Sequence, residues 1–441
     1  MSAQKTHKIV IVGGGAGGLE LATRLGRKYR NSGQAEIHLV DRQHAHLWKP
    51  LLHEVAAGTL NSNEDEMSYL ALAAWNHFSF HLGPLESIDR HKKTITVGEA
   101  CDADGDPFMP SRELAYDYLV LALGSVTNDF GTPGVSEHCY FLDSRAEADR
   151  FHQDLVRACY AADAQTEPLR DGQLHVAIAG AGATGVELAA ELYHSMRTLV
   201  GYGLHRIDVE HDLKIHLIDA AERVLPGLPE KVSNSTAEVL RALNIQIHTQ
   251  EFIASAHEDR YETRDGKTIS AEIKVWAAGV RGDDVLTGLD ELETTPTQQL
   301  LVHPTLQTTR DESIFAFGDC AACPMGESGW VPPRAQAAHQ QAAVVAKNIA
   351  SAIDGRSLLN YEYKDFGSLI NLSQRGTIGN LMGNLLRRKP ASFPVEGYLA
   401  RWVYLSLYKL HQVQTNGYIR TGLLTLANIL TRASKPRLKL H

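Results

Sequence analysis

Apolar residues recur along the chain in two registers, short continuous runs and longer helical periods. Ile9–Val12, Tyr118–Leu123, Val176–Ala179 and Ile314–Phe317 are runs of four to six apolar residues bounded by polar or glycine positions, and Ile37–Val40, Ile215–Ile218 and Ile273–Trp276 are similar runs each interrupted by one polar residue, His38, His216 and Lys274. That is the pattern of strands buried on both faces in a parallel sheet. Leu19–Leu25 and Val186–Leu192 follow glycine clusters and carry helical periodicity. Near the C-terminus, projection at about 100° per residue gathers Val395, Leu399, Trp402, Val403, Leu407, Leu410 and Val413 on one side, with Arg401, Lys409 and Gln412 opposite. The pattern predicts one amphipathic helix over 395–413 and a second over 418–432, where Ile419, Leu423, Leu426, Ile429 and Leu430 share a face.

Two of these segments are copies of one unit. Lys8–Val12 followed by Gly13-Gly14-Gly15-Ala16-Gly17-Gly18 recurs as His175–Ala179 followed by Gly180-Ala-Gly182-Ala-Thr-Gly185. Each copy continues into a helix and then into a second strand ending in an acid, Ile37–Asp41 and Ile215–Asp219. In a G-x-G-x-x-G turn the first glycine makes the tight turn, the second lets the backbone approach a pyrophosphate, and the third lets helix pack on strand. The helix N-terminus offers unpaired N–H groups and the positive end of its dipole. A terminal acid accepts hydrogen bonds from the ribose hydroxyls and repels a 2′-phosphate, so Asp219 favours NAD over NADP. The expected fold class is α/β with two Rossmann-like dinucleotide-binding domains. Tyr116–Ser125, with Gly124 at its end, has a counterpart in Ile273–Val280, and Ile314–Phe317 leads into Gly318-Asp319. This order predicts a discontinuous first domain, 1–150 and 300–380, with the second at 151–299 and a C-terminal segment at 381–441. Arg387–Pro394 reads as a linker.

Composition narrows the function classes. The chain has 441 residues, 44% hydrophobic and 22% charged, as in an ordinary globular protein of two or three domains. Its net charge of −9 argues against a generic nucleic-acid binder. That total is uneven, because residues 381–441 hold ten Lys or Arg and the single acid Glu396, leaving the preceding 380 residues at −18. A basic, aromatic-bearing amphipathic tail suits an anionic phospholipid surface, while the charges interrupting it exclude a spanning helix. The five cysteines show no disulfide framework. Cys320-Ala-Ala-Cys323 lacks the further ligands of a zinc site and reads as core rather than as a metal or redox pair.

On these residues, and on Leu47–Gly58, Thr184–Glu187, Trp276–Arg281 and Ala335-Gln336-Ala-Ala-His-Gln340, the whole chain resembles type II NADH dehydrogenase. This is the single-subunit, non-proton-pumping NADH:quinone oxidoreductase, and the tail resembles its enterobacterial type. The resemblance implies FAD at the first turn and NADH, as substrate, at the second. Gly13, Gly14, Gly15, Ala16, Gly17 and Gly18 would cradle the FAD pyrophosphate, with Asp41, Arg42 and Leu85 at the adenosine end. Gly124, Gly318 and Asp319 would lie along the rest of the cofactor, with Ala335 and Gln336 beside its ring. Gly180, Gly182, Gly185 and Asp219 would hold NADH. Glu187 matches the family's catalytic glutamate, and Gln336 and Gln340 match residues lining its quinone site. By residue chemistry alone, Glu187 reads as a helix first-turn carboxylate and the two glutamines as a polar stripe. His53 and His339 receive no chemical role. Asn384 departs from a lysine that some members place near the flavin.

The implied reaction is NADH + quinone + H⁺ → NAD⁺ + quinol, by way of FAD. The partners would be ubiquinone or menaquinone and an anionic membrane, on the cytoplasmic face of the bacterial inner membrane as a peripheral protein. A homodimer is left open. The rivals are a sulfide:quinone oxidoreductase, a soluble NADH-dependent reductase of ferredoxin-like proteins, and a non-enzymatic NADH-sensing scaffold.

Overall fold

The structure is a computed structural model that describes all residues except 1–4, 63–65, 103, 327–328, 374–376, 383–391, 398–405, 407–408, 410, 432–437 and 440–441. The parallel strands are β1 (His7–Val12), β2 (Ala35–Asp41), β3 (Ser79–Leu82), β4 (Tyr118–Leu121), β5 (His175–Ala179), β6 (Lys214–Asp219), β7 (Gln246–Thr249), β8 (Ile273–Trp276) and β9 (Ile314–Ala316). The helices that matter here are α1 (Ala16–Tyr29), α2 (Leu52–Ala57), α3 (Tyr69–Asn76), α4 (Arg145–Ala164), α5 (Ala183–Gly201), α6 (Ala335–Ile353) and α7 (Tyr418–Thr431).

The strands form two parallel sheets, ordered β9-β4-β1-β2-β3 and β7-β6-β5-β8. The internal repeat survives at the level of register. Ile9 lies between Ile37 and Tyr118, and Val176 lies between Ile215 and Ile273. Each half also carries a three-stranded antiparallel sheet, Leu85–Asp89 with Thr94–Val97 and Arg112–Ala115 in one, Ile253–Ala256 with Arg260–Thr263 and Thr268–Ser270 in the other. The fully buried central strands Ile9–Val12 and Val176–Ala179 explain the continuous apolar runs, since helices cover both faces of such a sheet. Although it belongs to the first 150 residues, α2 places Leu52, Val55, Ala56 and Ala57 in the apolar core of the second sheet, beside Val186 and Leu188.

The C-terminal part departs from the expected helices. Residues 392–397 are a strand, β12 (Ser392–Gly397), paired antiparallel to β11 (Thr377–Met382), which pairs with β10 (Gly367–Asn371). Val395 therefore does not begin a helix, and the sheet crosses the expected boundary at residue 381. Backbone pairing with a preformed neighbour outweighs a periodicity that six residues satisfy equally well. Tyr398, Leu399, Arg401, Trp402, Val403, Tyr404, Tyr408 and Leu410 lie outside the described residues, as do Asn384, Arg387–Lys389, Arg432, Lys435 and Arg437. Residues 411–416 are helical, and α7 follows Gly417, which takes a φ of 78°. On α7, Tyr418, Ile419, Leu423, Leu424, Leu426, Ile429 and Leu430 are exposed. Among the described residues no helix is long and apolar enough to cross a membrane.

Both flanks of α7 are fastened to the body. Upstream, the Thr415 carbonyl accepts from Asn76 Nδ2 at 3.2 Å, and in the first turn of α7 itself the Arg420 guanidinium lies 3.6 Å from the Trp75 ring centroid. Downstream, Leu438 is buried and Lys439 bonds Gly58 and His152 through its backbone. Lys439 Nζ also sits 3.2 Å from Asp149 Oδ1. That lysine, expected in the membrane-facing charge, is paired within the protein.

Candidate functional site

The two glycine turns have the same construction. Gly13 and Gly180 have φ of 101° and 105°, and a Cβ on either would lie 2.3 Å from the Ala122 oxygen or 2.5 Å from the Ala277 oxygen. A Cβ on Gly18 would lie 1.8 Å from the Gly13 oxygen, and one on Gly185 1.9 Å from the Gly180 oxygen. At Gly15 and Gly182 a Cβ would meet nothing within 4 Å, so these middle positions open outward at the helix N-termini. The strand-terminal acids brace the turns identically. Asp41 accepts from the Gly14 N–H at 2.6 Å and the Gln43 N–H at 2.7 Å; Asp219 accepts from Ala181 at 2.5 Å and Ala221 at 2.8 Å. Burial raises the Asp41 carboxyl, against those two N–H bonds, which lower it.

The surroundings of the turns differ. A Cβ on Gly14 would lie 2.4 Å from the Tyr69 hydroxyl, and one on Gly17 2.6 Å from Phe317. The Gly14 carbonyl accepts from Tyr69 at 2.7 Å and lies 3.0 Å from His46 Nδ1, while His46 Nε2 meets His411 Nε2 at 2.9 Å. In the second turn the equivalent of Gly17 is Thr184, which is exposed.

Around the first turn, Gly124 has a φ of 74° and open space at its Cβ position. The half-buried carboxyl of Asp319 is raised by desolvation, opposed by the Ser125 hydroxyl at 3.0 Å and by Lys49. Lys49 in turn donates to the Ser125 carbonyl at 2.7 Å. Gly318, with φ of 76°, donates its N–H to Gln341 Oε1 at 2.8 Å. Leu85 is buried just beyond Gly83, whose N–H donates to the Asp41 carbonyl. Arg42 reaches towards Asp283 at 3.6 Å. Ala335 opens α6 and is exposed. The amide of Gln336 accepts from the Phe366 N–H at 3.0 Å and donates to Gly367 and Asp365, and Gln340 bonds Lys364 through both its N–H and its carbonyl. Both side chains thus hold residues 364–367 against α6. The thiols of Cys320 and Cys323 are buried and pushed up to about 11 by desolvation, which keeps them protonated.

Glu187 stands where the halves of the molecule meet. Its carboxyl accepts from the Asn371 N–H of β10 at 2.9 Å, and its other oxygen lies 3.8 Å from His53 Nδ1 on α2. Desolvation is the main reason that its carboxyl is pushed up to about 8; Glu54 and Glu191 add to the rise and the Asn371 bond opposes it. The sequence nominated Glu187 but not His53, Glu54 or Asn371, whose proximity depends on α2 and β10 packing over α5. Lys49, His53 and Glu54 lay inside the Leu47–Gly58 segment without a role. Tyr69, His46 and Gln341 carried no signal.

Residues 7–342 match the family described as pyridine nucleotide-disulphide oxidoreductase. The type II NADH:quinone oxidoreductase of Haemophilus influenzae is 42% identical, covering 98% of this chain and 99% of its own. That of Staphylococcus aureus is 29% identical over 89% of this chain and 94% of its own. An NDH2 structure from Plasmodium falciparum in complex with NADH superposes with a TM-score of 0.80 at 19% identity, covering 99% of this chain and 100% of that one. A sulfide:quinone oxidoreductase from Aquifex aeolicus gives 0.72 at 19% identity, covering 94% and 92%. These two share the fold. With most of its length matched by the family and a near full-length relative at 42% identity, the chain belongs to the pyridine nucleotide-disulphide oxidoreductases and, among them, to the type II NADH:quinone oxidoreductases.

Proposed function

We propose that the protein oxidises NADH and reduces a membrane quinone, with FAD resident at the first glycine turn and NADH visiting the second. The observation that carries this is the duplicated cradle: in each turn the flanking glycines are closed by backbone, and the middle one alone opens on space at a helix N-terminus. FAD fits the first cradle, which continues past Gly124 to Gly318 and Asp319. When bound it supplies two-electron transfer between a hydride donor and a quinone.

The chain's own residues then divide the work. Amides of Gly13 to Gly18 receive the FAD pyrophosphate, with Asp41, Arg42 and Leu85 around its adenosine and Ala335 and Gln336 at its ring. Gly180, Gly182 and Gly185 receive that of NADH, and Asp219, braced by two N–H groups, faces its ribose and disfavours a 2′-phosphate. Glu187 holds a proton at neutral pH and can donate it where charge develops. Gln336 and Gln340 shape the quinone site by fixing residues 364–367. In this reading residues 1–150 and 300–380 form the FAD-binding part, 151–299 the NADH-binding part, and 381–441 the membrane-associating part.

The exposed apolar face of α7 lies in the lipid interface, with Trp75 and Arg420 beside it, so a lipid-soluble quinone reaches the site from the bilayer. Charge attraction of about 1 kcal/mol per basic residue near an anionic leaflet supplements apolar burial. This fits a peripheral protein on the cytoplasmic face of the inner membrane.

Purified protein mixed with NADH, NADPH and short-chain quinones tests the reading: FAD release on denaturation and NADH-dependent quinone reduction are expected. Protein that purifies without flavin, or that reduces no quinone, would sink it. For the membrane contact, Leu423→Glu with Ile429→Glu is expected to abolish binding to anionic vesicles while leaving the Leu438 and Lys439 fastening intact; retained binding moves the contact elsewhere.

A further inference from the structure

Quinone reduction by NADH consumes one proton that the hydride does not bring. The hydride supplies two electrons and one hydrogen nucleus, and the second quinol hydrogen comes from solvent. Glu187 is enclosed and needs a route for recharging. On α2, His53 faces it with Nδ1 at 3.8 Å from Glu187 Oε2 and turns Nε2 towards Glu54 Oε1 at 3.9 Å. Asn371 closes the ring of groups, donating its N–H to Glu187 and its Nδ2 to Glu54 at 3.4 Å. The side chain of Glu54 is 19% exposed, that of His53 3% and that of Glu187 11%, so the series runs from the outside, through a buried imidazole, to the site.

Among the described residues, His53 Nε2 is buried without a hydrogen-bond partner. Buried polar atoms are satisfied in the great majority of cases, and an orphan calls for an explanation, of which a catalytic role is one. Packing alone would be served better by an apolar side chain, because α2 lies in an apolar core with Val55 and Ala56 fully buried.

We propose that His53 is a positioning and proton-carrying residue that recharges Glu187 from Glu54. This rests on the reading of Glu187 as the catalytic carboxyl. In the transfer the Glu54 O–H bond breaks as His53 Nε2–H forms, and His53 Nδ1–H breaks as Glu187 O–H forms. His53 passes from one neutral tautomer to the other, and a water that takes the Nε2 proton and delivers one to Nδ1 restores the first tautomer. Glu54 is reprotonated by water, so one solvent proton enters per quinol and no charge accumulates on the imidazole. Closing both gaps takes a shift of about 1 Å, in keeping with catalytic hydrogen bonds that tighten only with substrate bound.

The electrostatics agree with this direction. Burial pushes His53 down to about 4, against a hydrogen bond to the Pro50 backbone that raises it, and pushes Glu187 up to about 8, so at neutral pH the pair is neutral with the proton on the carboxyl. The ionisable groups facing the pair are Glu54 from α2 and Glu191 from α5, with the uncharged Asn371 from β10. From α4, His152 and Asp149 are engaged by Lys439 instead.

Two measurements on the full-length, FAD-loaded protein test the relay. The infrared C=O band of a protonated carboxyl that disappears in Glu187→Gln identifies Glu187, and its shift after transfer to D₂O times the exchange of its proton. His53→Gln is expected to slow that exchange at least tenfold. In stopped flow the ratio of quinone-driven flavin reoxidation to NADH-driven flavin reduction is expected to fall at least tenfold. Glu54→Gln carries the same two expectations and serves if His53→Gln does not fold. Exchange as fast as in the unaltered protein, or the two half-reactions slowing in parallel, overturns the relay. Unaltered protein that fails to reduce quinone overturns the functional reading itself.

Discussion

Glu20 and Glu187 occupy the same position in two copies of one motif, Gly18-Leu-Glu-Leu-Ala-Thr-Arg24 and Gly185-Val-Glu-Leu-Ala-Ala-Glu191. Both are buried. Glu20 is met one helical turn later by Arg24 at 2.6 Å and from α6 by His339 at 2.5 Å. Glu187 is met one turn later by Glu191, a second acid, and from α2 by a neutral His53. A carboxylate in a desolvated place persists only with a cation beside it; without one it keeps its proton. The first copy thus uses its glutamate to tie α1 to α6, and the second leaves its glutamate with a proton to give. The turns follow the same division. Tyr69 and His46 pack on the first turn at Gly14 and Phe317 packs on it at Gly17, where the second has Ala181 and the exposed Thr184.

The largest effects should come from the glycines that the two copies use identically. Gly18→Ala and Gly185→Ala each drive a Cβ into a backbone oxygen, and each is expected to lose about 4 kcal/mol or more in denaturant unfolding. The copies should separate in their ligands: Gly18→Ala purifies colourless, while Gly185→Ala retains flavin that NADH no longer bleaches. Equal flavin loss in both would erase the distinction between resident and visiting nucleotide.

Next is the protonated glutamate. Its folded-state value, about 8, is raised above the ordinary 4.5 by burial, so its contribution to stability is full below 4.5 and is lost as pH rises towards 8. Glu187→Gln removes that loss. It should match the unaltered protein near pH 4.5 and exceed it at pH 8 by up to roughly 4 kcal/mol, while quinone turnover falls about a hundredfold. Parallel stability curves would show that Glu187 is ionised in the fold.

Exchanging the i+4 partners probes the origin of the difference. Arg24→Glu should cost about 3 kcal/mol by replacing the guanidinium beside Glu20 with a like charge and leaving it His339 alone, and Glu191→Arg should ionise Glu187, abolishing its protonated-carboxyl band at pH 7. If the band survives in Glu191→Arg, the third element over the helix, and not the i+4 partner, sets the charge state. The smallest effect is expected at the open positions. Gly15→Ala and Gly182→Ala should leave unfolding unchanged and weaken FAD and NADH binding respectively by about tenfold, or about 1.4 kcal/mol, because each methyl occupies pyrophosphate space.

Much of the fold is legible in the amino-acid sequence. The repeat, the strand-turn-helix units, the terminal acids and the correspondence between 118–121 and 273–276 follow from runs and glycines that local chemistry dictates. The difference between Arg24 and Glu191 is also visible in the sequence, but its meaning depends on burial. Elsewhere local pattern misled: Val395 satisfies a helical period and lies in a strand, because β11 offers it a hydrogen-bonded edge. Lys439 counted towards a cationic tail and is held by Asp149, because Leu438 beside it has an apolar place to fill.

The sequence by itself determined the two dinucleotide turns, since glycine geometry and apolar periodicity act over a few residues, whereas Glu187 stood out only through the resemblance to the family. Only the tertiary structure decided which glutamate keeps its proton and which histidine faces it. Those depend on α2 crossing into the core of the second half and on β10 returning from more than 180 residues away. Desolvation, the force that raises Glu187, belongs to the assembled surroundings and to no residue alone.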